Sequence, residues 1–238
     1  MFSPHVTVIN YRKGNLTNVA RMLRAAGASA EISSGSDQAR AIHQIKNADA
    51  LVLPGVGSFA DAMGFLDSFD LSTLLRQRIT EGLPFLGICL GLQLLFESGE
   101  EGGVGGTSPQ GLGVLPGHAA LLAKQDRSGH SYKVPHVGWN QVCYTGLADG
   151  SSASSGAATA HLFKGIPDQS NFYFTHSYVV CPDDRALVVG ETDYSCHFVS
   201  AVAKDTLFGV QFHPEKSARL GAQLLNNFVE IVRTEMRK

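Results

Sequence analysis

Phe85 Leu86 Gly87 Ile88 Cys89 Leu90 Gly91 Leu92 Gln93 sets a cysteine between two glycines where a buried apolar run gives way to residues at helical spacing. Pro84 to Ile88 reads as a strand that ends at Cys89, and Gly91 to Ser98 reads as a helix. Strand, sharp turn and helix make a nucleophile elbow, and the glycines at 87 and 91 leave room for the tight backbone it needs. At a helix N-terminus the free N–H groups and the helix dipole favour the thiolate, the reactive form of cysteine. Cys89 is therefore placed as a nucleophile, and the alternation of strand and helix around it points to the fold.

Outward from this elbow the same alternation repeats. Strand-like runs at His5 to Ile9, Ala28 to Ile32 and Ala50 to Leu53 are interleaved with helical patterns at Asn15 to Ala26, Ala39 to Lys46 and Leu71 to Glu81, an order that builds a parallel sheet. The later half changes character. Val137 to Tyr144, Asn171 to Val180, Leu187 to Thr192, Phe198 to Ala203 and Leu207 to Phe212 are short β-rich segments between turns, an antiparallel extension, and an amphipathic helix over Ser217 to Glu235 closes the chain. The expected fold is α/β, a three-layer α/β/α arrangement on a central mixed, largely parallel sheet. A length of 238 residues with 44% hydrophobic content suits one domain over 1–238. The stretches 99–111 and 146–160 hold too few apolar residues to join a core and read as surface-loop insertions.

Composition excludes several classes of function. A formal net charge of -2 without a Lys/Arg block offers no field for a nucleic-acid backbone. The opening lacks a signal-peptide pattern and no apolar run reaches a membrane span, so a soluble cytoplasmic protein is expected. Cys89, Cys143, Cys181 and Cys196 form no CxxC pair and read as reduced thiols rather than a metal site. Neither GxxxxGK[ST] nor GxGxxG occurs, so no nucleotide is called for, and the reading requires no metal and no cofactor.

Two further segments complete a chemical constellation. In Gly209 Val210 Gln211 Phe212 His213 Pro214 Glu215, an apolar strand runs into a histidine with an acid two residues later, on the same side of an extended chain. His213 can then deprotonate Cys89 while Glu215 orients the imidazole. Leu53 Pro54 Gly55 Val56 Gly57 is a glycine loop at the carboxyl edge of a strand, where doubly wound sheets place their sites. The Val56 amide there and the Leu90 amide after the nucleophile are candidate oxyanion donors.

Taken together, PGVG (54–57), GICLGLQLLFES (87–98) and QFHPEKS (211–217) resemble the class I, or triad, glutamine amidotransferases. NYRKGNLTNV (10–19), PHVGWN (135–140) and FYFTHSY (172–178) are similar, more narrowly, to the glutaminase subunits of imidazole glycerol phosphate synthases. The resemblance spans nearly the whole chain and is weakest at 99–108 and 146–160. It implies a catalytic triad of Cys89, His213 and Glu215, and a glutamine pocket lined by Gly57, Gln93, His176, Ser177 and Tyr178. It also implies a heterodimer with a (β/α)8 cyclase subunit that consumes the ammonia in histidine biosynthesis. PHVGWN argues against the glutaminase of pyridoxal phosphate synthase, whereas a surface-sugar pathway using a similar pair stays open. Trp139 and His136 of PHVGWN, with Tyr11, Arg12, Lys13 and Lys216, are expected on the partner-facing surface.

Overall fold

In the computed structural model, which describes residues 3–103, 105–145 and 161–238, the apolar runs of the first half form parallel strands. They are β1 (His5–Val8), β2 (Ser29–Ile32), β3 (Ala50–Gly55) and β4 (Phe85–Cys89). The sheet runs β2-β1-β3-β4 and then takes in β12 (Leu207–Val210), which lies parallel to β4 on its other side. Both faces of these strands are buried, and successive side chains serve opposite faces. Val6, Val8, Val52, Leu86 and Ile88 enter one apolar cluster with α1 (Leu16–Ala25) and α6 (Ala218–Glu235). Leu51, Leu53 and Phe85 enter a second cluster with α2 (Gln38–Lys46), α3 (Phe59–Ser68) and α4 (Leu71–Thr80). Two helical layers thus sandwich the sheet.

Beyond β12 the order continues antiparallel through β11 (His197–Lys204) and β10 (Val188–Asp193). It then reaches β7 (His136–Tyr144) and β8 (Ser170–His176), with β9 (Tyr178–Pro182) against β11. The mixed, largely parallel central sheet and its three layers agree with the sequence reading. Register then aligns the chemistry: Gly55 lies beside Cys89, and Val210 beside Ile88. The glycine loop at 54–57, the cysteine and the QFHPEKS segment leave adjacent strands at one edge.

Several elements differ from the sequence reading. The helix expected over Gly91 to Ser98 is four residues long, α5 (Leu90–Gln93), and the chain turns into β5 (Phe96–Gly99). Leu94, Leu95 and Phe96 are all fully buried, and an apolar run buried on every side carries no period that separates helix from strand. Pairing of β5 with β6 (Leu115–Leu121) decides the matter from a distance. The run read as Asn171 to Val180 breaks at Ser177 into β8 and β9. Helix α3 forms between the glycine loop and α4, with Gly64 in its interior, where the sequence reading has no element. The segment 99–111 begins inside β5 and ends where the Gly111 N–H donates to the Glu97 carbonyl; the stretch 146–160 lies outside the described residues.

Among the glycines, Gly91 is fixed by close packing. A Cβ there would run into the carbonyl oxygen of Leu53, whereas one at Gly64 meets nothing within 4 Å. Gly91→Ala is therefore expected to destabilise the chain by about 3 kcal/mol through forced backbone separation. Gly64→Ala, exposed on a helix, should stabilise it by about 0.5–1 kcal/mol. Denaturant titration of the two variants beside the parent checks both signs.

Candidate active site

Cys89 closes β4 with φ 54° and ψ −108°, a conformation that non-glycine residues rarely adopt and that a surrounding structure must impose. Gly87 and Gly91 make it possible, because a side chain on Gly87 would collide with backbone across the turn and one on Gly91 with the Leu53 carbonyl of β3. The strained turn places Cys89 at the cavity, as in a nucleophile elbow. Cys89 is 4% exposed and lines a cavity of about 360 Å³.

His213 reaches the same place from β12. Its N–H donates to the Tyr173 carbonyl at 2.8 Å, and its carbonyl accepts from the Ser217 hydroxyl at 2.6 Å. The Ser217 oxygen in turn accepts from the Tyr173 N–H at 3.0 Å, so both sides of the histidine backbone are tied to β8. The imidazole Nδ1 lies 2.9 Å from Glu215 Oε1, both side chains 3% exposed. A carboxylate can only accept, so Nδ1 carries the proton and Nε2 is left for the thiol side. Among the described residues, that Nε2 is buried without a hydrogen-bond partner. Burial lowers the basicity of His213, but the Cys89 sulfur and then Glu215 outweigh it and push the pKa up to about 10. The three residues expected as a triad are thereby brought together.

The cavity is lined by Val56, Gly57, Gln93, His176, Ser177 and Tyr178, together with Cys89 and Leu90. Every residue expected in the glutamine pocket and both expected oxyanion-donor residues therefore surround one space. Gly57 takes φ 106°, which glycine adopts without strain. Gln93 Nε2 donates to the Tyr178 carbonyl at 3.0 Å and to Gln211 Oε1 at 3.2 Å. His176 Nδ1 donates to the same carbonyl at 2.9 Å, so its Nε2 accepts from His136 Nδ1 at 3.1 Å. Burial holds both rings neutral, His136 with its pKa lowered to about 4 and His176, helped by the neighbouring His136, to about 3. A larger hollow of about 1080 Å³ beside α6 touches none of these groups.

Sequence reasoning missed residues at the cavity and around Cys89. Glu101 accepts from the Phe59 N–H at 3.0 Å and borders the cavity, yet it lies in a stretch read as an insertion. Gln211, fully buried, donates from Nε2 to Cys89 Sγ at 3.5 Å; the period-two rule that paired His213 with Glu215 also puts Gln211 on their side. Tyr11, expected on the partner surface, is instead 3% exposed, because its ring enters the apolar cluster beneath α3. Its hydroxyl lies over the Cα of Gly55, and the Val56 N–H approaches it short of hydrogen-bonding geometry. His136 is also buried, stacked between Phe174 and Tyr194, while Trp139 and Val137 on the same strand are about half exposed.

The neutral histidine pair has a pH consequence. Both folded pKa values lie below that of an unfolded histidine, so unfolding takes up protons. The stability they contribute is present in full above about pH 6.5 and is lost as pH falls toward 4. His136→Gln should remove one site of proton uptake and flatten the loss of denaturant midpoint between pH 7 and pH 5.

Among known proteins, the model of the family Glutamine amidotransferase class-I matches residues 7–232. The chain is 41% identical over 228 residues to the imidazole glycerol phosphate synthase subunit HisH of Moorella thermoacetica, covering 96% of this chain and 95% of that one. It is 40% identical over 221 residues to the HisH of Aquifex aeolicus, covering 93% and 94%. Among solved structures, PurLQS of Thermotoga maritima superposes with TM-score 0.64 at 16% identity, over 99% of this chain and 100% of that one. A glutamine amidotransferase of Thermotoga maritima gives 0.60 at 17%, over 100% and 87%; at such identities the likeness speaks for the fold. On the family model and these full-length relatives, the chain belongs to the class-I glutamine amidotransferases.

Proposed function

We propose that this chain is the glutaminase subunit of an imidazole glycerol phosphate synthase. In this reading it hydrolyses glutamine to glutamate and ammonia and delivers the ammonia to a (β/α)8 cyclase subunit in histidine biosynthesis. The observation that carries the chemistry is the meeting of a strained Cys89, which lines the cavity, with the buried His213–Glu215 pair behind it. Full-length similarity to HisH subunits supports the pathway and the need for a partner.

The steps follow from the site. The Cys89 thiolate attacks the side-chain amide carbon of glutamine, and the oxygen that becomes anionic is met by the amide of Leu90. Once the Gly55–Val56 peptide turns its N–H from the Tyr11 hydroxyl toward the cavity, the Val56 amide meets it as well. Collapse breaks the C–N bond, and His213 gives its proton to the departing ammonia. Water then attacks the glutamyl thioester with His213 as base, releasing glutamate and restoring the thiol. Glu215 keeps the imidazole in one tautomer and stabilises its cation. The substrate's α-ammonium group suits the Glu101 carboxylate, and its α-carboxylate suits the amides around Gly57 and Ser177. The half-exposed Val137 and Trp139 on β7 offer an apolar anchor for the cyclase.

Cys89→Ala is expected to abolish glutamine-dependent synthesis by the assembled complex while synthesis from added ammonium continues, since the acceptor chemistry belongs to the other chain. An alanine variant that still hydrolyses glutamine would remove Cys89 from its role. His213→Ala should lower glutamine turnover nearly as far, and Glu215→Ala about tenfold less severely, as steady-state glutamate release will show.

Val56 tests the oxyanion assignment. Proline at this position deletes the N–H, whereas alanine keeps it. In the partner-bound complex, Val56→Pro should cut the glutaminase rate by roughly 10² to 10³ and leave ammonium-dependent synthesis in place, with Val56→Ala near the parent. An unchanged rate in a folded, partner-bound proline variant would rule the Val56 amide out.

A further inference from the structure

Gln211 opens the QFHPEKS segment and has no task in the triad chemistry. It follows β12, is fully buried, and its backbone N–H continues the sheet to the Ser200 carbonyl at 2.9 Å. A primary amide in such a place must satisfy both ends of its side chain, and here the direction of the amide is fixed by its neighbours. The Tyr178 carbonyl can only accept, so Gln93 must turn its NH2 toward it, at 3.0 Å. The same NH2 donates to Gln211 Oε1 at 3.2 Å. The NH2 of Gln211 is then left facing Cys89 Sγ at 3.5 Å.

The sulfur therefore lies between an N–H donor and a carbonyl acceptor, Thr175 O at 3.8 Å. The thiol can satisfy both by donating S–H to Thr175. The thiolate has only acceptor capacity, so Gln211 stabilises it and the Thr175 carbonyl does not. We propose that Gln211 is a further catalytic residue, an amide donor that holds the Cys89 sulfur as a thiolate aimed at the substrate, with Gln93 fixing its orientation. This rests on Cys89 being the nucleophile. Of the ionisable groups around Cys89, His213 and Tyr11 interact with it directly, His176, Glu101 and Tyr178 line the same cavity, and none of them is altered by substituting position 211.

The pH dependence of Cys89 alkylation by iodoacetamide, followed by peptide mass on the intact chain, reads the thiolate directly. Gln211→Leu removes the donor and should raise the alkylation midpoint by about one unit, the size expected of a hydrogen bond to a charged group. Gln211→Glu, of equal size, places a carboxylate against the sulfur and should raise it further. In the complex with its cyclase subunit, both variants should lose glutaminase activity about tenfold, mostly in kcat. In the unmutated chain, the Gln211 side-chain amide signals should titrate with the same midpoint as alkylation, a measurement that does not depend on a variant folding. A merely structural role predicts lower stability or a raised KM with the alkylation midpoint unmoved, and a folded variant with an unmoved midpoint, or amide signals that ignore the titration, overturns the proposal. Failure of the underlying reading looks different: complete alkylation at Cys89 would then leave glutamine hydrolysis intact.

Discussion

The active site is built on one backbone contact, the approach of Gly91 to the carbonyl of Leu53. Only without a side chain at 91 can the turn after β4 sit flush against β3, and that seating holds Cys89 at a positive φ. The strain is stored locally and is offset by strands buried on both faces, with Leu51, Leu53, Phe85, Leu86 and Ile88 all fully enclosed. A sheet packed this tightly offers the groups carried at the ends of β4 and β12 little freedom.

Around the sulfur, polar groups replace the apolar core without leaving the interior. Each is oriented by a neighbour that can act in only one sense. Glu215 fixes the tautomer of His213, and the Tyr178 carbonyl fixes Gln93 and His176, which in turn set Gln211 and His136. Such a network is costly when partly satisfied and rigid when complete. It has a neutral half, His136 and His176, and a charged half, His213 with Glu215. Burial drives the first pair neutral, whereas the adjacent sulfur and carboxylate keep His213 charged despite burial.

The division of labour on β7 follows from strand geometry. Alternate side chains face opposite ways, so His136 is drawn inward against Phe174 while Val137 is left outside, and Trp139 stays half exposed against Tyr173. One strand can thus present an apolar outer surface and, through His136, support the His176 wall of the cavity.

The parallel half of the fold and the identity of the chemical groups were legible along the chain. Apolar runs at a period of two and helices at a period of 3.6 are local properties, and a cysteine between glycines or an HPE after a strand can be read within a few residues. Whatever depends on a distant partner was settled by long-range packing instead. Leu94 to Phe96 is apolar in any conformation, and only the pairing of β5 with β6 makes it leave the helix. Glu101, Tyr11 and Gln211 look like ordinary residues along the chain, because nothing within their own segments records that β3, β4 and β12 end side by side. Register between strands far apart in sequence brings the ends of those strands together around Cys89, and register is a property of the packed sheet, where both faces must be buried at once.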